Sequence, residues 1–91
     1  MSESIPGGWS DWNFDNLELY STLLQKHFGL GVGYEVLAYA TQVVAGTNYV
    51  FLTKTTLIYP PFKQNVVRVD AFLSLENEWT IKEEIKPVEP N

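Results

Sequence analysis

Two runs rich in β-branched and aromatic residues, Tyr34–Thr41 and Val50–Ile58, flank the segment Gln42–Tyr49. Such runs suit the pleated, half-buried surface of a strand. Between them, Ala45-Gly46 is a reversal point, because glycine tolerates positive φ and lets two strands turn back tightly. The pair is therefore read as a β-hairpin, and the rest of the chain has to be arranged around it. Its tip is unusual. Val43, Val44 and Ala45 stand in a row where a plain surface turn would carry Asn, Asp or Ser. An exposed apolar wedge marks a contact surface; the plain alternative is a hairpin tip with no further meaning.

Upstream of the hairpin the period is helical. Asp15-Asn16-Leu17-Glu18 has the form of a capping box, with Phe14 and Leu19 as a hydrophobic staple. The helix should run to Phe28, with Gly29 as a left-handed stop. Leu17, Leu19, Tyr20, Leu23, Leu24, His27 and Phe28 fall on one broad apolar face. Glu18, Ser21, Thr22, Gln25 and Lys26 take the other. His27, the one histidine, lies inside the apolar arc and is read as a packed core group rather than a catalyst. Gly29-Leu30-Gly31-Val32-Gly33 lacks the preceding strand and following helix of a phosphate loop, so it is read as a turn.

Beyond Gly33 the chain predicts four strands, Tyr34–Thr41, Tyr49–Ile58, Val66–Ser74 and Trp79–Lys86. Val67, Val69, Ala71 and Leu73 alternate with Arg68, Asp70 and Ser74, the half-buried pattern of an antiparallel sheet, with Phe72 an exception on the outer face. The consecutive prolines place Tyr59–Asn65 in a loop. The expected fold is α+β, one long helix packed on a 4–5-stranded antiparallel sheet. Leu37, Tyr39, Tyr49, Phe51, Val69, Ala71 and Leu73 should face inward, and Ile5–Trp9 is the candidate fifth strand or edge segment. Trp9, Trp12 and Phe14 should draw their segment back onto the domain. At the start, Ile5-Pro6-Gly7-Gly8 is an extended arm with a flexible joint; at the end, residues 87–91 form a loosely held tail.

The chain of 91 residues is one small domain, spanning 1–91. Its 45% hydrophobic content is enough for a packed core. With no cysteine, disulfides and cysteine-based zinc sites are ruled out, and a reducing, cytoplasmic setting is expected. No apolar h-region follows Met1-Ser2-Glu3-Ser4, and no run approaches a membrane span. A net charge of -5 with few, scattered cations argues against nucleic acid and against a membrane surface. An enzyme is not expected. No cysteine nucleophile exists, and one histidine makes a poor metal site or triad. Glu76, Glu78, Glu83 and Glu84 read as a solvated rim. No cofactor is implied.

Gln42-Val43-Val44-Ala45-Gly46 matches the QxVxG loop of the cystatins, and Gln42 to Tyr49 reads like its stefin version. Ile5-Pro6-Gly7-Gly8 resembles the stefin N-terminal arm, and Ser74-Leu75 lies where the second hairpin loop begins. The order of helix, strand, QVVAG, strand, strand, loop and strand covers nearly the whole chain. The chain thus resembles the stefins, the cysteine-free cystatins. It departs from them in a longer link around Tyr59–Asn65 and in a shorter second loop, Leu75-Glu76-Asn77-Glu78, without Leu-Pro-Gly. The resemblance implies reversible, tight-binding inhibition of papain-like cysteine proteases. It assigns protease contact to Ile5, Pro6, Gly7 and Gly8 (residues 1–8 being the inhibitory arm), to Gln42, Val43, Val44, Ala45 and Gly46, and to Leu75, Glu76 and Asn77. The alternative is a non-inhibitory binding module of the same fold. A monomer should predominate, with a dimer that exchanges the helix and first strand as a minor form.

Overall fold

The computed structural model describes residues 8–82 and 86–87. One helix, α1 (Leu17–Phe28), packs on an antiparallel sheet. The sheet is a meander of β1 (Val32–Val44), β2 (Gly46–Leu57), β3 (Gln64–Leu73) and β4 (Trp79–Ile81), with β5 (Lys86–Pro87) also paired to β3. The first two strands are longer than their composition predicts. Only Ala45 separates them, since Val44 still pairs with Gly46. The expected fourth strand is divided: β4 pairs with Ala71–Leu73 and β5 with Val67–Arg68. Pro87, expected in the tail, belongs to β5. The rest of the tail, residues 88–91, lies outside the described residues, as do Glu83, Glu84 and most of the arm.

The helix begins one residue later than its capping box predicts. Asn16 is the N-cap, in the left-handed conformation (φ 58°, ψ 30°) and without a side-chain cap. Asparagine visits that region with little penalty, so the Asp15-Asn16 turn wins over the box. Phe14 and Leu19, the expected staple, are both exposed. At the other end Gly29 stops the helix as expected, its amide donating to Gln25 O at 2.9 Å, although its ψ of -147° lies outside the left-handed region.

The buried face of α1 is narrower than the sequence pattern. Leu24 is fully buried, and Leu17, Tyr20, Leu23 and Phe28 pack around it. Leu19 and His27 are exposed, which corrects the assignment of His27 to the core; its ring stands edge-on to Phe28. The physical reason is the use of Ser21 and Gln25, expected on the solvent side. Ser21 Oγ accepts from Val36 N at 2.8 Å, and Gln25 Oε1 accepts from Tyr34 N at 2.9 Å. These two side chains roll the helix toward the outer edge of β1.

The same edge is covered further along by the N-terminal segment. Asn13 and Tyr39 exchange both backbone hydrogen bonds, at 2.7 and 3.0 Å, and Ser10 N donates to Thr41 O at 2.8 Å. Thr41 N is met by Ser10 Oγ at 3.0 Å. The outward amides of Tyr34, Val36, Tyr39 and Thr41 are thus all taken. An open edge is a template for unwanted strand pairing, and here it is closed by two helix side chains and five residues of chain. This bears out the folding back of the aromatic segment, but Trp12 and Phe14 remain exposed.

A β-bulge explains which residues face the helix. Val36 pairs with Thr53 and Ala38 with Leu52, leaving Leu37 as the extra residue. Val36 and Tyr39 therefore face the same core. Leu37, expected inside, is only half-buried, and so is Leu73. Phe51, Val69, Ala71, Val67 and Ile81 complete the buried cluster. Burying each large apolar side chain contributes about 1.5–3 kcal/mol. Tyr20, Tyr39, Tyr49, Phe51 and Trp79 pack ring against ring, with Tyr20–Tyr39 centroids 4.7 Å apart and Tyr49–Trp79 centroids 4.9 Å apart.

Candidate functional site

The register brings three segments to one end of the sheet. Val44 pairs with Gly46 at the first tip; Thr47 pairs with Leu73; Leu73 pairs with Trp79 across the second tip. Trp9 bridges Gln42, so Gly8 enters beside the first tip. Gly8 is exposed with φ 79°. Ile5, Pro6 and Gly7, the other candidate residues of the arm, lie outside the described residues.

At the first tip Val43 is 80% exposed and Val44 48%. Ala45 is exposed as well. The apolar side chains stay in water because a single residue turns the chain and leaves no loop to fold over them. Gln42 braces the base, its Oε1 accepting from Asn48 Nδ2 at 2.9 Å across the hairpin. Gly46 has φ 115° and is buried. A Cβ there would lie 2.5 Å from Phe72 Cζ and 2.6 Å from Leu73 O, too close for any side chain. Glycine is required at this position twice over, by backbone conformation and by space.

The second tip is built without the proline and glycine that its expected pattern would use. Ser74 N donates to Glu78 O at 2.9 Å, and Asn77 N to Ser74 O at 3.0 Å. Ser74 Oγ accepts from Glu76 N and Glu78 N. Asn77 takes φ 64°, the left-handed value that closes a three-residue hairpin loop. Leu75 is 74% exposed, and Glu76 and Asn77 beside it are exposed as well.

Every described candidate residue, from Gly8 through Gln42–Gly46 to Leu75–Asn77, therefore lies at this end. Three further residues belong to it that sequence reading missed as site residues: Trp9, Asn48 and Phe72. The position of Phe72, apolar on an outward-facing register, was the signal for the last of them. Behind the tips, on the face away from the helix, runs a shallow groove of about 420 Å³ bordered by Trp9, Trp12, Val50 and Arg68. Its cation is already engaged, Arg68 Nε lying 2.7 Å from Asp70 Oδ1. Among the described residues no group of three or more His, Asp or Glu gathers in a metal-binding cluster. No described helix is long and apolar enough to cross a membrane. The first tip offers apolar surface and backbone, and the second offers Leu75 beside the exposed Glu76, Asn77 and Glu78.

Compared with protein-family models, with curated proteins and with solved structures, the chain matches none.

Proposed function

We propose that the chain is a stefin-like member of the cystatin superfamily, with the cystatin fold, and a reversible inhibitor of papain-like cysteine proteases. The observation that carries this reading is the tip Val43-Val44-Ala45, apolar and exposed, held level with a second tip at the sheet end where Gly8 enters. Two narrow tips side by side form a wedge for a slot-shaped cleft. Val43, Val44 and Ala45 fill the primed side next to the protease cysteine without offering a scissile bond in an extended, accessible segment. Leu75 adds apolar surface from the second tip. Ile5 and Pro6 occupy nonprimed pockets, with Gly7 nearest the cysteine. Tips held on a hydrogen-bonded sheet lose little ordering entropy on binding, so a modest interface supports high affinity.

The test is an inhibition titration with a papain-type endopeptidase and a papain-type exopeptidase. Inhibition that is reversible, one chain per active site, with the chain recovered uncleaved, is the expected result. Hydrolysis that proceeds unchanged at micromolar chain would reject it. One observation favours a second reading, a binding module that inhibits no protease. The opposite end of the sheet also exposes apolar residues, Leu30, Ile58, Tyr59 and Phe62, which the wedge does not use. Unchanged hydrolysis by both enzymes would leave that reading in its place.

A further inference from the structure

Past their last shared rung the two hairpins at this end of the sheet part, β3 running on through Ser74 into the second tip. The last rung between β2 and β3 is Thr47–Leu73, whereas β1 and β2 continue to Val44–Gly46. Among the described residues no strand pairing past that rung ties the first tip to the second, and a two-stranded end is free to twist. Here one side chain reaches it. Phe72 lies opposite Asn48 on the helix-free face, and its ring leans over Gly46. Cζ and Cε1 lie 2.5 and 2.8 Å from the place where a Cβ at Gly46 would stand. The ring fills the space that the glycine leaves empty. Diagonal neighbours on a sheet are roughly 7–8 Å apart, a gap that an aromatic side chain spans. Covering a glycine with a cross-strand ring restores packing that the glycine lacks.

We propose that Phe72 is a positioning residue that ties the first tip to the second, so that both enter a partner's cleft as one rigid body. Its functional half rests on the inhibitor reading; its structural half does not. The geometry is specific. The ring touches the backbone of the tip's own glycine, while the next residue, Leu73, pairs with Trp79 at the foot of the second tip. Phe72-Leu73 is therefore the hinge point at which the height of one tip is set against the other. Phe72 makes this contribution from behind the tips. Loss of the ring should leave the recognition side chains unaltered but let Val43–Ala45 move.

The experiment has two arms and one control. The variants are Phe72→Ala and the milder Phe72→Leu, which stays apolar but does not reach Gly46. The control is Val67→Ala, a core truncation further along β3, on the helix-facing side and away from the tips. In the free chain, amide hydrogen exchange at Gly46 and Thr47 should rise about tenfold in Phe72→Ala, with the amide of Phe51 exchanging as in the parent. Against a papain-type endopeptidase, dissociation should speed up about tenfold while association stays within about twofold, as expected when only pre-organisation is lost. Val67→Ala should lower stability without either tip effect. Tip exchange like that of the parent in both Phe72 variants would overturn the proposal. So would faster tip exchange with an unchanged dissociation rate. If the parent itself binds no papain-type enzyme, the inhibitor reading fails, and the exchange arm still decides whether the ring holds the tip.

Discussion

Gln25 accepts a hydrogen bond from the amide of Tyr34 at 2.9 Å, joining the helix to the outer edge of the first strand. Its Nε2 also donates to Gly29 O and Val32 O, at 2.7 and 2.9 Å. One side chain thus satisfies the end of the helix, the turn after it and the start of β1. Gln25→Leu keeps the bulk and removes all three bonds. Leaving part-buried backbone groups unpaired should cost about 1–3 kcal/mol. Urea unfolding of the variant measures this directly, and an unchanged midpoint would mean that water replaces the side chain at no cost.

Gly46→Ala tests the tightest point of the first tip. The φ of 115° and the approach of Phe72 and Leu73 both oppose a side chain. Backbone strain alone is worth about 1–3 kcal/mol. The variant should unfold at lower denaturant than the parent, and the loss should be smaller in a Phe72→Ala background, where part of the clash is gone. Equal losses in both backgrounds would separate the glycine from the ring.

The Tyr20 phenol is held well above its ordinary pKa of 10.0, first by burial and then by its hydrogen bond to Tyr49. Burial raises Tyr34 in the same direction. In the unfolded chain these phenols ionise near 10, while in the folded chain they keep their protons. The unfolded state therefore binds fewer protons above that pH. The stability they contribute is full below about pH 10 and is lost as pH rises further. Unfolding midpoints measured from pH 8 to about pH 11.5 should be flat and then fall. Tyr20→Phe should flatten the fall, and an identical alkaline slope in that variant would contradict the assignment.

Much of the architecture is legible in the residues. The switch from a helical period before Gly29 to strand-like runs after Gly33 gives one helix on an antiparallel sheet, and Ala45-Gly46 marks the reversal. What is lost is set by non-local pairing. The bulge at Leu37 depends on how β1 registers against β2, and no local pattern announces it. Ser21 and Gln25 look like solvent residues because their partners, the edge amides of β1, lie 15 and 9 residues away in the chain. The direction of the helix at Asn16 turns on a left-handed residue rather than on a side-chain cap. For the site, Val43–Ala45 could be read because apolar residues at a turn are conspicuous. Phe72 stood out only as a misplaced apolar residue, and its purpose needs the space over Gly46 to be seen.

If the Val43-Val44-Ala45 tip enters a protease cleft as proposed, a charge at its middle residue must be felt in the inhibition constants of parent and Val44→Asp against a papain-type endopeptidase. Val44 is half exposed, so the charge should change folding stability by only about 0.5 kcal/mol, checked by the same urea transition. The parent should inhibit at nanomolar concentration or below, a binding free energy of about -12 kcal/mol. The aspartate, placed against the cleft, should weaken inhibition by about 2 kcal/mol or more, the loss typical of a central anchor. A Val44→Asp chain that folds normally and inhibits as tightly as the parent would put the tip outside the cleft.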